Sequence, residues 1–283
     1  MEHIIVAGTD GSPAAAAAVE WAADDAGRRG MPLRIVCAVE RWPHEIVRFP
    51  DPDLGDALNR AAEKVLAEAE AVALRRRPGL EVTTRVLQGS PAMVLREQAE
   101  SAAGLVMGSR GLGGFAGAVL GSVSMHVAGH VHRPVVVVRS VPQEARGEVA
   151  VGFDDSPACE PALGYAFEQA ALRGAGVRAV YAWQLPVHAF APEVVYDVDE
   201  IRAGQQRVAE ARLQGWRQRY PQVPVVEDVR QGHPVEALTE VSGGTDLVVV
   251  GSHGRGAVGA VLLGSVSRGV LHHARCPVAV VRS

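Results

Sequence analysis

The stretch "GSRGLGGFAGAVLGSVS", residues 108–124, gathers glycine and serine where a chain could wrap a phosphate. Glycine permits positive φ and lets backbone N–H groups converge on one point. A helix starting beyond such a loop adds partial positive charge and unpaired donors. Ser122 stands where that helix should begin, so its hydroxyl is placed to cap the helix or to meet a phosphate oxygen. A tight turn closed by a capping serine is the plainer alternative. Residues 251–267, "GSHGRGAVGAVLLGSVS", repeat the spacing in the second half, with Ser265 in the same place.

Two familiar phosphate motifs do not fit. A Walker loop carries lysine after its last glycine, and no lysine lies near Gly121-Ser122 or Gly264-Ser265. "GLGGFA" from Gly111 and "GRGAVG" from Gly254 match G-x-G-x-x-G/A in form. That dinucleotide motif follows a first strand and needs an acidic residue about 20 positions on. These copies follow a fourth strand, and residues 131–140 and 274–283 contain no Asp or Glu.

Asp10 and Asp154 supply the other chemistry. They stand in "TDGSP" and "DDSP", just past the first strand of each half. A carboxylate suits a ribose diol or a bound Mg²⁺ better than bare phosphate; an Asx turn is the structural alternative. With strand order 3-2-1-4-5, strands one and four flank the topological switch point, where ligands bind beyond the carboxyl ends. Asp10 would then face the loop from Gly108, and Asp154 the loop from Gly251.

The surrounding pattern supports that order. Strands are expected at 3–8, 33–39, 81–87, 105–108 and 134–139, with helices at 13–29, 56–77, 91–101 and 121–131. The second half repeats strands at 149–152, 177–183, 224–229, 247–251 and 277–282. Runs such as "VVVV" and "LVVVG" lack period-two alternation, as in strands covered on both faces. Alternating strands and helices imply a parallel sheet with right-handed crossovers. Ser12, Pro13 and Gly30 mark a helix start and stop. Segments 40–55 and 184–199 read as long irregular loops, either lids or partner surfaces.

A repeat this long is a duplicated domain. The expected boundaries are a first domain at 1–141, a linker at 142–146 and a second domain at 147–283. The net charge of −4 argues against a general nucleic-acid binder. Lys64 is the only lysine. Cys37, Cys159 and Cys276 show no metal-ligand spacing and read as buried residues of a reducing cytosol. The start of the chain enters a strand with no signal peptide, and no apolar run reaches the ~18 residues of a membrane helix. A cytoplasmic location is expected. His126, His130 and His132 have a spacing that could bind metal, but only His130 recurs in the second half, as His273.

The glycines and serines together resemble the ATP-binding signature G-x2-G-x9-G-[ST] of the universal stress protein family. Gly108, Gly111, Gly121 and Ser122 match it in the first half, and Gly251, Gly254, Gly264 and Ser265 in the second. The likeness runs through both halves and is similar to the tandem proteins of actinobacteria. It implies two Rossmann-like domains of the adenine nucleotide alpha hydrolase type, each an α/β fold with a five-stranded parallel sheet. It implies that the aspartate after strand one contacts ribose and that backbone at the end of strand two contacts adenine. Those positions are Asp10 with Val39, and Asp154 with Trp183. The nucleotide-binding set is completed by Gly8, Arg110, Val123 and Ser124, and by Gly152, Val266 and Ser267. It implies pairing of final strands, within the chain or in a homodimer.

Gly11 becomes Asp155 in the second half, a second carboxylate that aids a metal or repels phosphate. Arg110 becomes His253, and either reaches a phosphate or stays solvated. The leading expectation is a non-enzymatic, ATP-binding stress-response regulator with a nucleotide in each domain and unnamed protein partners. The alternatives are a slow Mg²⁺-dependent ATPase and a protein for cyclic AMP or another adenylate.

Overall fold

The computed structural model describes residues 3–40, 54–113, 120–140, 144–185, 197–254 and 263–282. The chain divides into two compact units, Met1–Gln143 and Glu144–Ser283. The first unit runs β1 (Ile5–Gly8), α1 (Pro13–Arg29), β2 (Leu33–Val39), α2 (Leu54–Arg76), β3 (Val82–Gln88), α3 (Pro91–Ser101), β4 (Gly104–Gly108), α4 (Ser122–His130) and β5 (Val135–Val138). The second runs β6 (Glu148–Gly152), a 3₁₀ turn (Pro157–Cys159), α5 (Glu160–Arg173), β7 (Gly176–Trp183), α6 (Val198–Arg219), β8 (Val225–Gln231), α7 (Pro234–Val241), β9 (Leu247–Gly251), α8 (Ser265–His273) and β10 (Val278–Val281).

In the first unit the strands lie in the order β3-β2-β1-β4-β5, every neighbour parallel. The second repeats this as β8-β7-β6-β9-β10, again parallel. The 3-2-1-4-5 order is therefore present in each unit. All described residues of β1, β4 and β5 are buried, as strands covered by helices on both faces must be.

Helix α1 shows how local chemistry fixes an element. The Ser12 hydroxyl accepts from the Ala15 N–H, Pro13 takes the first turn, and Gly30 closes the helix at φ 62°. Asp24 is buried and meets Arg76 at 2.7 Å and Arg77 at 2.8 Å, tying α1 to α2.

The segments expected to be irregular differ at their ends. Helix α2 already begins at Leu54 and α6 at Val198, so the last residues of 40–55 and 184–199 are helical. Asp197 explains the second case, because its side chain caps α6 through the N–H groups of Asp199 and Glu200. Residues 41–53 and 186–196 lie outside the described residues. Helix α4 is one residue shorter at each end than 121–131, since Gly121 and Val131 are extended caps.

The register places the site. Gly8 pairs with Val36 on one side and Met107 on the other. The chain following β1 and the chain following β4 therefore leave the sheet side by side. This is the switch point of a doubly wound sheet, with crossovers leaving to opposite faces.

Candidate functional site

A cleft of about 370 Å³ opens at that switch point in the first unit. Gly8, Asp10, Gly108, Arg110, Gly111, Gly121, Ser122, Val123 and Ser124 all line it. Its walls are Val36, Ala38, Leu95 and Met107, none of which the sequence reading singled out. Val36 and Ala38 share one face of β2 by strand alternation, which was the available signal.

Asp10 joins the two lips of the cleft. Its Oδ1 accepts the Ser12 N–H at 3.0 Å, which closes an Asx turn. Its Oδ2 accepts the Leu112 N–H at 2.8 Å, across to the glycine loop. The Ser12 hydroxyl adds a bond to the Arg110 carbonyl at 3.3 Å. The expected facing of Asp10 and the loop is thus a direct hydrogen bond.

The described glycines of the loops serve close approach rather than left-handed backbone. Gly108, Gly111, Gly113, Gly121, Gly251, Gly254 and Gly264 do not have positive φ. A Cβ on Gly108 would lie 2.8 Å from the Ala14 carbonyl carbon and the Ala15 nitrogen, so β4 could not reach the first turn of α1. A Cβ on Gly111 would lie 2.5 Å from Asp10 Oδ2. Gly114, Gly117 and Gly259 lie outside the described residues. Left-handed backbone occurs instead at Gly11, φ 82°. Among the described residues no non-glycine residue has positive φ, so Asp155 turns the chain differently, into the 3₁₀ turn.

The serines also change roles. Gly121 and Gly264 are the caps of α4 and α8, and Ser122 and Ser265 make no capping bond. Their exposed hydroxyls stand in the first turn, where N–H groups are unpaired. The buried Ser124 hydroxyl donates to the Gly108 carbonyl at 2.8 Å, and Ser267 donates to Gly251 at 2.7 Å. Each pins a helix to the strand that precedes its loop.

The second unit repeats the core of this geometry. Asp154 Oδ1 accepts from the Ser156 N–H at 3.0 Å and from its hydroxyl at 2.6 Å. A Cβ on Gly254 would lie 2.7 Å from Asp154 Oδ2. Gly152 packs against Leu238 as Gly8 packs against Leu95. Gly264, Val266 and Ser267 occupy the start of α8 as Gly121, Val123 and Ser124 do that of α4. Residues 255–262 and 114–119 lie outside the described residues.

Val39 and Trp183 end β2 and β7, with buried side chains. Their carbonyls already accept from Gly89 and Gly232 at 3.0 and 2.9 Å. Val39 is not among the residues lining the first cleft. The Trp183 indole N–H is buried without a hydrogen-bond partner among the described residues. Asp155 lines a separate groove with Glu160, Arg212 and Trp216, where its carbonyl accepts from Arg212. His126 and His130 stack at 4.1 Å instead of converging on a common point.

Electrostatics near the clefts are modest. Burial, and then the Asp10 charge, push the Cys37 thiol above its ordinary range. Burial, and then the like charge of Arg110, lower the Arg139 guanidinium. Among the described residues no group of three or more His, Cys, Asp or Glu could hold a metal ion. No described helix is long and apolar enough to cross a membrane.

Comparison with known proteins agrees with this architecture. The sequence pattern of the universal stress protein family matches residues 1–139 and again 146–282. A universal stress protein of Mycobacterium tuberculosis is 36% identical over 302 residues, covering 98% of this chain and 94% of the relative. One from Mycolicibacterium smegmatis is 36% identical over 293 residues, covering 99% and 97%. The crystal structure of a universal stress protein from Archaeoglobus fulgidus superposes with a TM-score of 0.72 at 21% identity, covering 99% and 96%. The chain belongs to the universal stress protein family, with the family pattern present once in each half.

Proposed function

We propose that each half binds one adenine nucleotide, preferentially ATP, and that the protein acts as a regulator through ligand-dependent conformation and partner choice. The observation that carries this reading is the Asp10–Leu112 bond across a cleft lined by the glycine signature. The volume of about 370 Å³ falls in the range of small-ligand pockets. The first turn of α4 directs unpaired N–H groups, with Ser122, toward phosphate. Asp10 would meet ribose hydroxyls with its remaining lone pairs. A ligand that bonds Asp10 and the loop together changes the strength of the bridge between them. That is a means of coupling occupancy to surface shape.

The residues do not fit a protein-held Mg²⁺. Both Asp10 oxygens already accept backbone N–H groups, and no further ligand converges on them among the described residues. Asp10 and Arg110 are the charged side chains lining the first cleft among the described residues. Neither is arranged as a base for an attacking water, so phosphoryl transfer should be slow. Calorimetry with ATP should give two sites per chain. A stoichiometry of one would show that a half has lost binding; none would overturn the proposal. Turnover should stay far below the ~1 s⁻¹ at the low end for enzymes. Fast phosphate release that disappears in Asp10→Ala would replace the regulator with an ATPase.

A further inference from the structure

The outer rim of the first cleft carries fixed positive charge. Arg110 is exposed and lines the cleft, whereas Ser124 is buried at its floor. The Ser109 N–H bonds the Val138 carbonyl at 2.7 Å, so the next residues, Arg110 and Arg139, leave neighbouring strand ends together. Proximity of the two guanidiniums is what lowers Arg139, after burial. Among the described residues the only acidic side chain lining the cleft is Asp10, whose oxygens face Ser12 and Leu112.

This arrangement recurs in the second unit with one change. The Ser252 N–H bonds the Val281 carbonyl at 2.9 Å, and the next residues are His253 and Arg282. His253 Nδ1 is paired with the Ser252 hydroxyl at 3.1 Å. Arginine offers a permanently charged fork that fits phosphate oxygens; the His253 imidazole has no such fork and has one ring nitrogen left here. Any nucleotide brings a first phosphate for the loop and the helix N-terminus. A cation at the rim gains only from the phosphates beyond it.

Resting on the nucleotide-binding reading, we propose that Arg110 sets the preference of the first half for nucleoside triphosphates over monophosphates, and that His253 leaves the second half without that guanidinium. Arg255, two residues past His253, lies outside the described residues. The proposal is therefore tested by exchanging residues within a half, not by comparing halves.

The test measures ATP and AMP affinity by calorimetry at pH 8 in the full chain. Gly254→Glu silences the second half so that the first is read alone, and Gly111→Glu does the converse. Arg110→Gln should weaken ATP about tenfold, the scale of one charge-assisted hydrogen bond, and leave AMP within about twofold. Arg110→Lys should recover part of the ATP affinity. His253→Arg should raise ATP over AMP in the second half by a similar factor. If a silencing variant melts early, two-site fits of the unsilenced chain carrying Arg110→Gln give the same ratio. An unchanged ATP-to-AMP ratio in Arg110→Gln, or equal loss of both ligands, overturns the role of Arg110. No ratio change in His253→Arg overturns that of His253. Failure of the wild-type chain to bind either ligand would instead remove the nucleotide reading itself.

Discussion

Gly111 leaves no room for a side chain because Asp10 fills it. A Cβ on Gly111 would stand 2.5 Å from Asp10 Oδ2, the oxygen that accepts the Leu112 N–H. Gly254 and Asp154 repeat the relationship at 2.7 Å. The glycine of the signature and the aspartate after the first strand are thus one steric unit.

Their dependence on each other is measurable. Gly111→Ala should push the Asp10 carboxylate aside and weaken its bond to Leu112, costing about 1–2 kcal/mol in urea unfolding. In an Asp10→Ala background the same change should cost less than half as much, a coupling that a double-mutant cycle reads directly. Additive effects would show that the glycine serves the ligand alone. Gly111→Glu should also abolish nucleotide binding in the first half. Unit charges at ~4 Å and an effective dielectric near 20 repel by about 4 kcal/mol, and a triphosphate carries several.

Much of this fold is legible because its determinants are local. Ser12, Pro13 and Gly30 bracket α1 at Pro13–Arg29, as their cap chemistry requires. Unbroken valine runs give strands buried on both faces, and the internal repeat finds both copies of the glycine loop. What escaped is non-local. Leu95 and Met107 reach the cleft from α3 and β4, and nothing in their own neighbourhoods marks them. Gly108 is required by Ala14 and Ala15, far away in sequence, and not by its own φ. The shift of the cap from Ser122 to Gly121 has a similar origin. Gly121 is held in an extended cap conformation by its N–H bond to the Ser109 carbonyl, so the helix proper begins at Ser122.

The two serines of "GSVS" should separate structure from binding. Ser124 is buried and bonded to the Gly108 carbonyl, so Ser124→Ala should lower stability by about 1 kcal/mol. Ser122 is exposed and caps nothing, so Ser122→Ala should leave the melting temperature unchanged while weakening ATP. Equal melting temperatures for the two variants would contradict the bond to Gly108.

Asp24 is a buried carboxylate whose hydrogen-bonding partners, Arg76 and Arg77, stand at the end of α2, with Arg28 of its own helix farther off at 3.9 Å. Its side chain is 8% exposed, against 45% for Arg76 and 43% for Arg77. Breaking a fully buried pair costs about 3–5 kcal/mol, but these arginines can turn to solvent. Asp24→Ala should therefore cost about 2 kcal/mol, and added salt should reduce the loss only slightly. A surface ion pair would cost under about 1 kcal/mol and lose most of that in salt, so a small, strongly salt-dependent effect would refute the assignment.

Cys276 makes stability depend on alkaline pH. Burial pushes its thiol up to about 11, although the Thr245 hydroxyl partly opposes the shift. An unfolded thiol releases its proton near 8.5–9. The folded state therefore holds the proton more tightly. Its stabilising contribution is complete below about pH 9 and is lost as pH rises through the folded value of about 11. Two pKa units correspond to about 3 kcal/mol. Cys276→Ala removes this titration and leaves every other group in place. The stability difference between wild type and variant should be flat from pH 7 to 8.5, then shrink steadily toward pH 11. Buried Cys37 and Cys159, also raised, are common to both proteins and cancel in the difference. Urea unfolding of the pair at a series of pH values makes the measurement, and parallel curves through pH 11 would show that the Cys276 thiol is as acidic in the fold as in the unfolded chain.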